Sequence, residues 1–178
     1  MTILHAGCGT QPLPQDFKDY EETRLDIDKD VEPDIQASIT DMSKVESNSF
    51  DALFTSHTIE HLFYHDVPKA FGEFLRVLKP GGKAFIQCPN IKEVAKYIAT
   101  DKLEDVLYYT GENIPIKAID VVFGWGSAIE GGNEFMTHKT AFTARSLKDK
   151  LLDAGFETVE TKEDVYELYA HATKGGLE

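Results

Sequence analysis

The sequence predicts an α/β domain: a mostly parallel sheet with helices on both faces and an antiparallel strand pair at its C-terminal end. Three observations carry this reading. Short apolar runs bounded by polar residues recur from residue 3 to residue 88; they alternate with glycine turns or amphipathic segments; and only strand-like runs follow the last helical pattern.

The first run, 3–6, meets Gly7-Cys8-Gly9 at once, which reads as a strand ending in a sharp turn. A second run, 24–27, ends among the acidic residues Asp26 and Asp28. Between them, 11–23 contains Pro12 and Pro14 and little helical periodicity, so this crossover is expected to be a loop with at most a short helix. A third extended piece is expected at 34–38. FDALFTS, 50–56, is the short continuous apolar run of a buried parallel strand. Asp66 and Pro68 then open a helix in which Ala70, Phe71, Phe74, Leu75, Val77 and Leu78 recur at helical spacing, until Lys79-Pro80-Gly81-Gly82 stops it. A fifth strand follows at 84–88.

Asn90 with Glu93 three residues on has the pattern of a capping box, and Ile91, Val94, Ala95 and Ile98 share one helix face beyond it. Thr100 or Asp101 is expected to cap another short helix running to Tyr109. From 111 to 136 glycines and aromatics crowd together and periodicity fades, the signature of a long functional loop. Thr143 caps a last helix carrying Leu147, Leu151 and Leu152 and ending at Gly155. Segments 158–161 and 166–173 complete the antiparallel pair. The order of elements makes the sheet Rossmann-like, with its ligand crevice at the carboxyl ends of the strands.

At 178 residues, 42% of them hydrophobic, the chain suits one domain over 1–178, within which 91–140 forms an insertion of helix and loop. Eighteen basic against 31 acidic residues leave a net charge of −13, which opposes nucleic acid and anionic membranes as partners. No apolar stretch nears the ~18 residues of a membrane span, and the opening MTILHAGCGTQP lacks the basic flank and long apolar run of a secretion signal. A cytoplasmic protein is expected, with Cys8 and Cys88 as reduced thiols in buried strands.

Gly7 and Gly9 let backbone N–H groups approach a ligand while the chain reverses. The position three after Gly9 is Pro12, which breaks the GxGxxG pattern of dinucleotide-binding turns and opposes a nicotinamide-dependent oxidoreductase. Asp26, at the end of the second strand, is placed to accept hydrogen bonds from ribose hydroxyls; Asp28 points to the same face by strand alternation and competes for that role. His57, His61 and His65 fall four residues apart, a spacing by which helical histidines can share a metal, yet no cysteine completes a ligand set and no metal is expected. His138, after the aromatic loop, is either a base at the pocket mouth or a surface histidine.

HAGCGT, LDID, SNSFDALFTSHTIEHL and LRVLKPGGKAFIQCPN, in this order and spacing, resemble a class I S-adenosylmethionine-dependent methyltransferase of the branch called type 11. HKTAFTARSLKDKLLDAGF, 138–156, is similar to a later segment of the same group. The resemblance implies S-adenosylmethionine as cofactor, with Ala6, Gly7, Cys8 and Gly9 around its methionine end, Asp26 on its ribose and Ile27 against its adenine. It further implies Ser38 and Ile39 at the adenine edge, and Ser56 and His57 near the methyl group. Three positions depart from the family pattern: Gln11 stands for a third glycine, His5 for an acidic residue before the turn, and Ser38 for the acidic residue that contacts the adenine amino group.

The implied reaction passes a methyl group by in-line displacement to a small-molecule acceptor, His57 and His138 being candidates for base or for acceptor orientation. The aromatic segment around Trp125 is expected to close over the acceptor. A cofactor-binding module without turnover is the alternative in another class.

Overall fold

The computed structural model describes residues 1–111 and 113–176. Residue 112, inside the loop expected over 111–136, and residues 177 and 178, at the end of the expected domain, lie outside the described residues.

Parallel strands β1 (Thr2–Ala6), β2 (Glu21–Asp26), β3 (Ile35–Gln36), β4 (Phe50–Ser56) and β5 (Leu78–Pro89) join antiparallel β8 (Thr158–Glu163) and β9 (Glu167–Thr173) in one sheet. Its order, β3-β2-β1-β4-β5-β9-β8, reverses between β1 and β4, the switch point at which a crevice opens beyond the strand ends. Alternation sorts β1 cleanly, since Leu4 and Ala6 enter the main core while Ile3 joins the opposite face.

The main core lies under α1 (Val67–Val77) and α5 (Ala144–Asp153), whose buried faces are Val67, Ala70, Phe71, Phe74 and Val77, and Leu147 and Leu151. On the other face the two prolines confine the first crossover to a 3₁₀ turn at Gln15–Phe17, and Phe17 packs with Tyr20, Phe54 and Phe85 over Ile3 and Ala52. Thr143 caps α5 as the sequence predicts, in a reciprocal pair with Ser146, and Gly155 takes φ 104° just beyond it.

The insertion departs from expectation. α2 (Ile91–Ile98) forms, but the capping box at its start does not: Asn90 is fully buried and spends its side-chain amide on the carbonyl of Asp164 (3.0 Å). The helix expected up to Tyr109 is instead β6 (Val106–Tyr109), paired antiparallel with β7 (Pro115–Lys117), because Val-Leu-Tyr-Tyr prefers an extended, half-packed strand. The 111–136 segment is likewise not one loop but carries β7, α3 (Ala118–Phe123), α4 (Gly126–Glu130) and a 3₁₀ turn at Glu134–Met136. Val94, Ala118 and Val121 give it a small core of its own.

One ion pair ties the start of the sheet together. Asp51 accepts from Lys79 Nζ (2.7 Å) and the Thr2 N–H (2.7 Å), and these bonds lower its carboxyl from 3.8 to about 2. A depressed acid contributes stability above pH 3.8 that is lost as pH falls towards 2. Asp51→Asn should therefore lower the melting temperature at pH 7, and the gap from wild type should shrink on acidification through this window; a pH-independent gap would refute the assignment.

Candidate functional site

The crevice begins where β1 ends. Gly7 (φ 69°) and Gly9 (φ 48°) take left-handed backbone, and a Cβ on Gly7 would collide with the side chain of Thr58. The turn's N–H groups are committed within the chain: Gly7 and Cys8 donate to the Leu25 carbonyl (2.8 and 3.1 Å), and Gly9 to Asp26 Oδ2 (2.8 Å). Contrary to expectation, then, the N–H groups of Gly7, Cys8 and Gly9 are not free donors for a ligand. Thr58 laces this edge together, its Oγ1 lying 3.3 Å from the Gly7 carbonyl and 3.0 Å from that of Ser56. Sequence reasoning passed over Thr58; the space against Gly7 appears only when β1 and β4 lie side by side.

The structure separates the two aspartates. Asp26 Oδ1 accepts from the Asp28 N–H (2.9 Å) while Oδ2 holds Gly9, so this carboxylate is fixed at the crevice with lone pairs to spare. Asp28 caps the 3₁₀ turn Lys29–Val31 by accepting from the Asp30 N–H (2.9 Å). Ile27 is 50% exposed beside Asp26, an apolar face open to a flat ring. Ile39 is not: at 6% exposure its side chain belongs to the main core, which leaves its backbone as the part that can border the adenine edge expected for it. The Ser38 hydroxyl turns to Thr40 (2.8 Å) in a local turn. Cys8 is buried at 2% exposure, leaving its backbone as the part that borders the turn.

Beyond Ser56, His57 takes φ 50°, an uncommon conformation for a side-chain-bearing residue and the reason no helix runs through the three spaced histidines. Only a 3₁₀ turn forms, at Ile59–His61, and His65 lies outside it, stacked on Phe63. The His57 ring stands between two carboxylates, Nδ1 3.4 Å from Glu60 and Nε2 3.3 Å from Glu167. Enclosure opposes the ring's charge, but the two carboxylates outweigh it and raise the pKa from 6.5 to about 10. A protonated imidazole cannot accept a proton, so the base role expected of His57 gives way to that of a fixed cation. Glu167 was not singled out from sequence; it arrives because antiparallel pairing sets it opposite Pro89.

Residues 137–140 strap back onto this turn. Lys139 and Thr140 N–H both donate to the Glu60 carbonyl (2.8 and 3.1 Å), and His138 N–H donates to that of Phe123 (3.1 Å). His138 is half-buried rather than on the surface, its ring edge-on to His61 at 4.8 Å. Burial lowers its pKa, and the ring is neutral with Nδ1 on the Val121 carbonyl (2.8 Å).

Residues 4–86 match the family model of the methyltransferase domain, type 11. A comparison with curated proteins finds no match. Among solved structures, a SAM-dependent methyltransferase of Methanosarcina mazei superposes with TM-score 0.61 at 17% identity, covering 99% of this chain and 93% of that one. A SAM-dependent methyltransferase of Archaeoglobus fulgidus gives TM-score 0.64 at 14% identity, over 97% and 86% of the two chains. Residues 4–86 thus carry the sequence pattern of a methyltransferase domain, and the chain as a whole has the fold of these SAM-dependent methyltransferases. A third neighbour, the 1,6-didemethyltoxoflavin N1-methyltransferase of Burkholderia thailandensis with its substrate and S-adenosylhomocysteine bound, has TM-score 0.57 and 13% identity over 98% and 71% of the chains.

The residues at the crevice bear on S-adenosylmethionine, the cofactor that the sequence resemblance implies. Gly9 faces open space, since a Cβ there would meet nothing within 4 Å; Asp26 presents a fixed carboxylate, and Ile27 an exposed apolar surface. Two departures from the family pattern are absorbed locally: His5, 2% exposed, pairs with Glu22 (2.8 Å), and Gln11 is exposed with its carbonyl 3.4 Å from Arg24 Nη1. Among the described residues no helix is long and apolar enough to cross a membrane.

Proposed function

We propose that this protein is a methyltransferase that binds S-adenosylmethionine along the ends of β1, β2 and β4 and methylates a small-molecule acceptor beside His57. Ala6, Gly7, Cys8 and Gly9 border the methionine end, Asp26 accepts from the ribose hydroxyls, Ile27 and the Ser38 turn flank the adenine, and Ser56 lies near the methyl group. The observation that carries this reading is Asp26, which ties the glycine turn to the end of β2 and still has acceptor capacity facing the crevice. The sulfonium of the bound cofactor supplies an already electrophilic methyl group, so the protein's work is alignment and exclusion of water. His57, held as a cation, orients the acceptor. His138 packs against His61 and Glu60, at the side of the site rather than as its base.

Segment 91–140 serves as the cover on the acceptor side. Trp125, 38% exposed, and Phe123 (59%) flank Gly124, whose φ of 100° turns the chain there, and Phe135 (50%) follows on the 3₁₀ turn Glu134–Met136. The net charge of −13 keeps nucleic acids out of the acceptor role, and the buried free thiols Cys8 and Cys88 suit the reducing cytoplasm.

Labelled methyl transfer into a metabolite extract, alongside calorimetry with S-adenosylhomocysteine, tests the reading. Binding with transfer is expected, and Trp125→Ala should lower turnover several-fold while leaving S-adenosylhomocysteine affinity unchanged. Binding without transfer would make the domain a cofactor-binding module, and no binding at millimolar ligand would remove the cofactor assignment from this crevice.

A further inference from the structure

We propose that Glu60, His61 and His138 form a binding site for a divalent first-row transition ion, with zinc the best match to two imidazoles and one carboxylate. One ligand atom from each residue lies within 4.8 Å of the other two. This is not the trio that the four-residue spacing suggested. His57 and His65 drop out because the chain makes a single 3₁₀ turn, and His138 enters from 78 positions beyond Glu60 through the strap that pairs residues 139 and 140 with the Glu60 carbonyl.

Two independent features point to a cation. Glu60 is 1% exposed, and neither of its carboxylate oxygens has a hydrogen-bond partner. A buried carboxylate without donors is costly unless a positive charge sits on it. His57 lies 3.4 Å from Oε1 and leaves Oε2, the oxygen away from it, without a partner.

The second feature is the orientation of the imidazoles. His61 Nδ1 lies 3.1 Å from the Thr137 carbonyl and His138 Nδ1 2.8 Å from that of Val121. A ring nitrogen facing a carbonyl must carry the proton, so Nε2 is the atom each ring has for a metal. Backbone carbonyls that fix the tautomer in this way are the usual outer shell of metal-bound histidine. A small cavity lined by Glu60, His138, Ile91 and Phe142 adjoins the group. Zinc–ligand distances of about 2.0–2.2 Å require the three side chains to draw inward on binding. Three protein ligands leave a position open for water or an acceptor heteroatom.

The test uses the full chain without an affinity tag, stripped with chelator, and Co²⁺ as the probe. One Co²⁺ per chain is expected, with visible absorption that Zn²⁺ displaces, and the readout needs neither cofactor nor acceptor. His138→Gln and Glu60→Gln should each weaken Co²⁺ binding beyond the roughly 10- to 100-fold typical of outer-shell changes, while His65→Gln leaves it unchanged. Circular dichroism and S-adenosylhomocysteine affinity check that each variant folds, and His61→Gln replaces any that does not. No stoichiometric Co²⁺, or binding that survives both Glu60→Gln and His138→Gln, would overturn the proposal. That outcome would leave the crevice assignment standing.

Discussion

Asp26→Ala should weaken S-adenosylhomocysteine binding by roughly 1.5 to 3 kcal/mol, or about ten- to a hundredfold in Kd, the scale of hydrogen bonds to a charged acceptor. The loss has two parts. The ribose contact goes, and so do the bonds by which the carboxylate holds the Gly9 and Asp28 N–H groups (2.8 and 2.9 Å), so the turn loses its tie to β2. Asp28→Ala removes only a cap on a 3₁₀ turn and should cost much less. Titration calorimetry on both variants settles the order. If Asp28→Ala proved the more damaging, the wrong carboxylate would have been placed on the cofactor.

Gly7→Ala should be the most damaging single-methyl change at the crevice. Holding alanine at φ 69° costs about 1 kcal/mol or more, and its Cβ would overlap Thr58, itself held by bonds to the Gly7 and Ser56 carbonyls. Gly9→Ala supplies the control: it shares a left-handed φ of 48°, but a Cβ there meets nothing within 4 Å. Urea unfolding should place Gly7→Ala below Gly9→Ala by about 1–3 kcal/mol, the cost of overpacking, and Thr58→Ala in the Gly7→Ala background should recover part of it. Equal midpoints for the two glycine variants would show that Thr58 yields freely.

The residues legible in the sequence are those whose geometry is local. The glycine turn, the strand before it and the Thr143 cap each declare themselves within a few positions, and the structure bears them out. Asp26 and Asp28 could not be separated by alternation, since both point one way; what separates them is which backbone N–H groups each accepts. The histidine spacing misled because it presumed a helix, whereas His57 leaves β4 with positive φ. Thr58 and Glu167 were invisible for a third reason. Each matters only through a partner distant in sequence, Gly7 for one and Pro89 and His57 for the other. In the insertion, Gly and aromatic content masked a hairpin and two short helices that close around Val94, Ala118 and Val121.

The antiparallel course of β9 reaches beyond topology. Running against its parallel neighbour β5, it brings its first residue, Glu167, to the ligand edge, while Lys174 just past its other end clasps the carbonyls of Leu75 and Leu78 (2.9 and 2.7 Å). Among the described strands β8 joins the sheet through β9, so an opening that parts β9 from β5 frees both. Any opening that frees this edge also takes away the carboxylate facing His57. Site occupancy and the parting of β9 from β5 are therefore linked equilibria: a ligand that needs Glu167 in place must slow amide exchange along β9, although that strand carries neither the glycine turn nor Asp26.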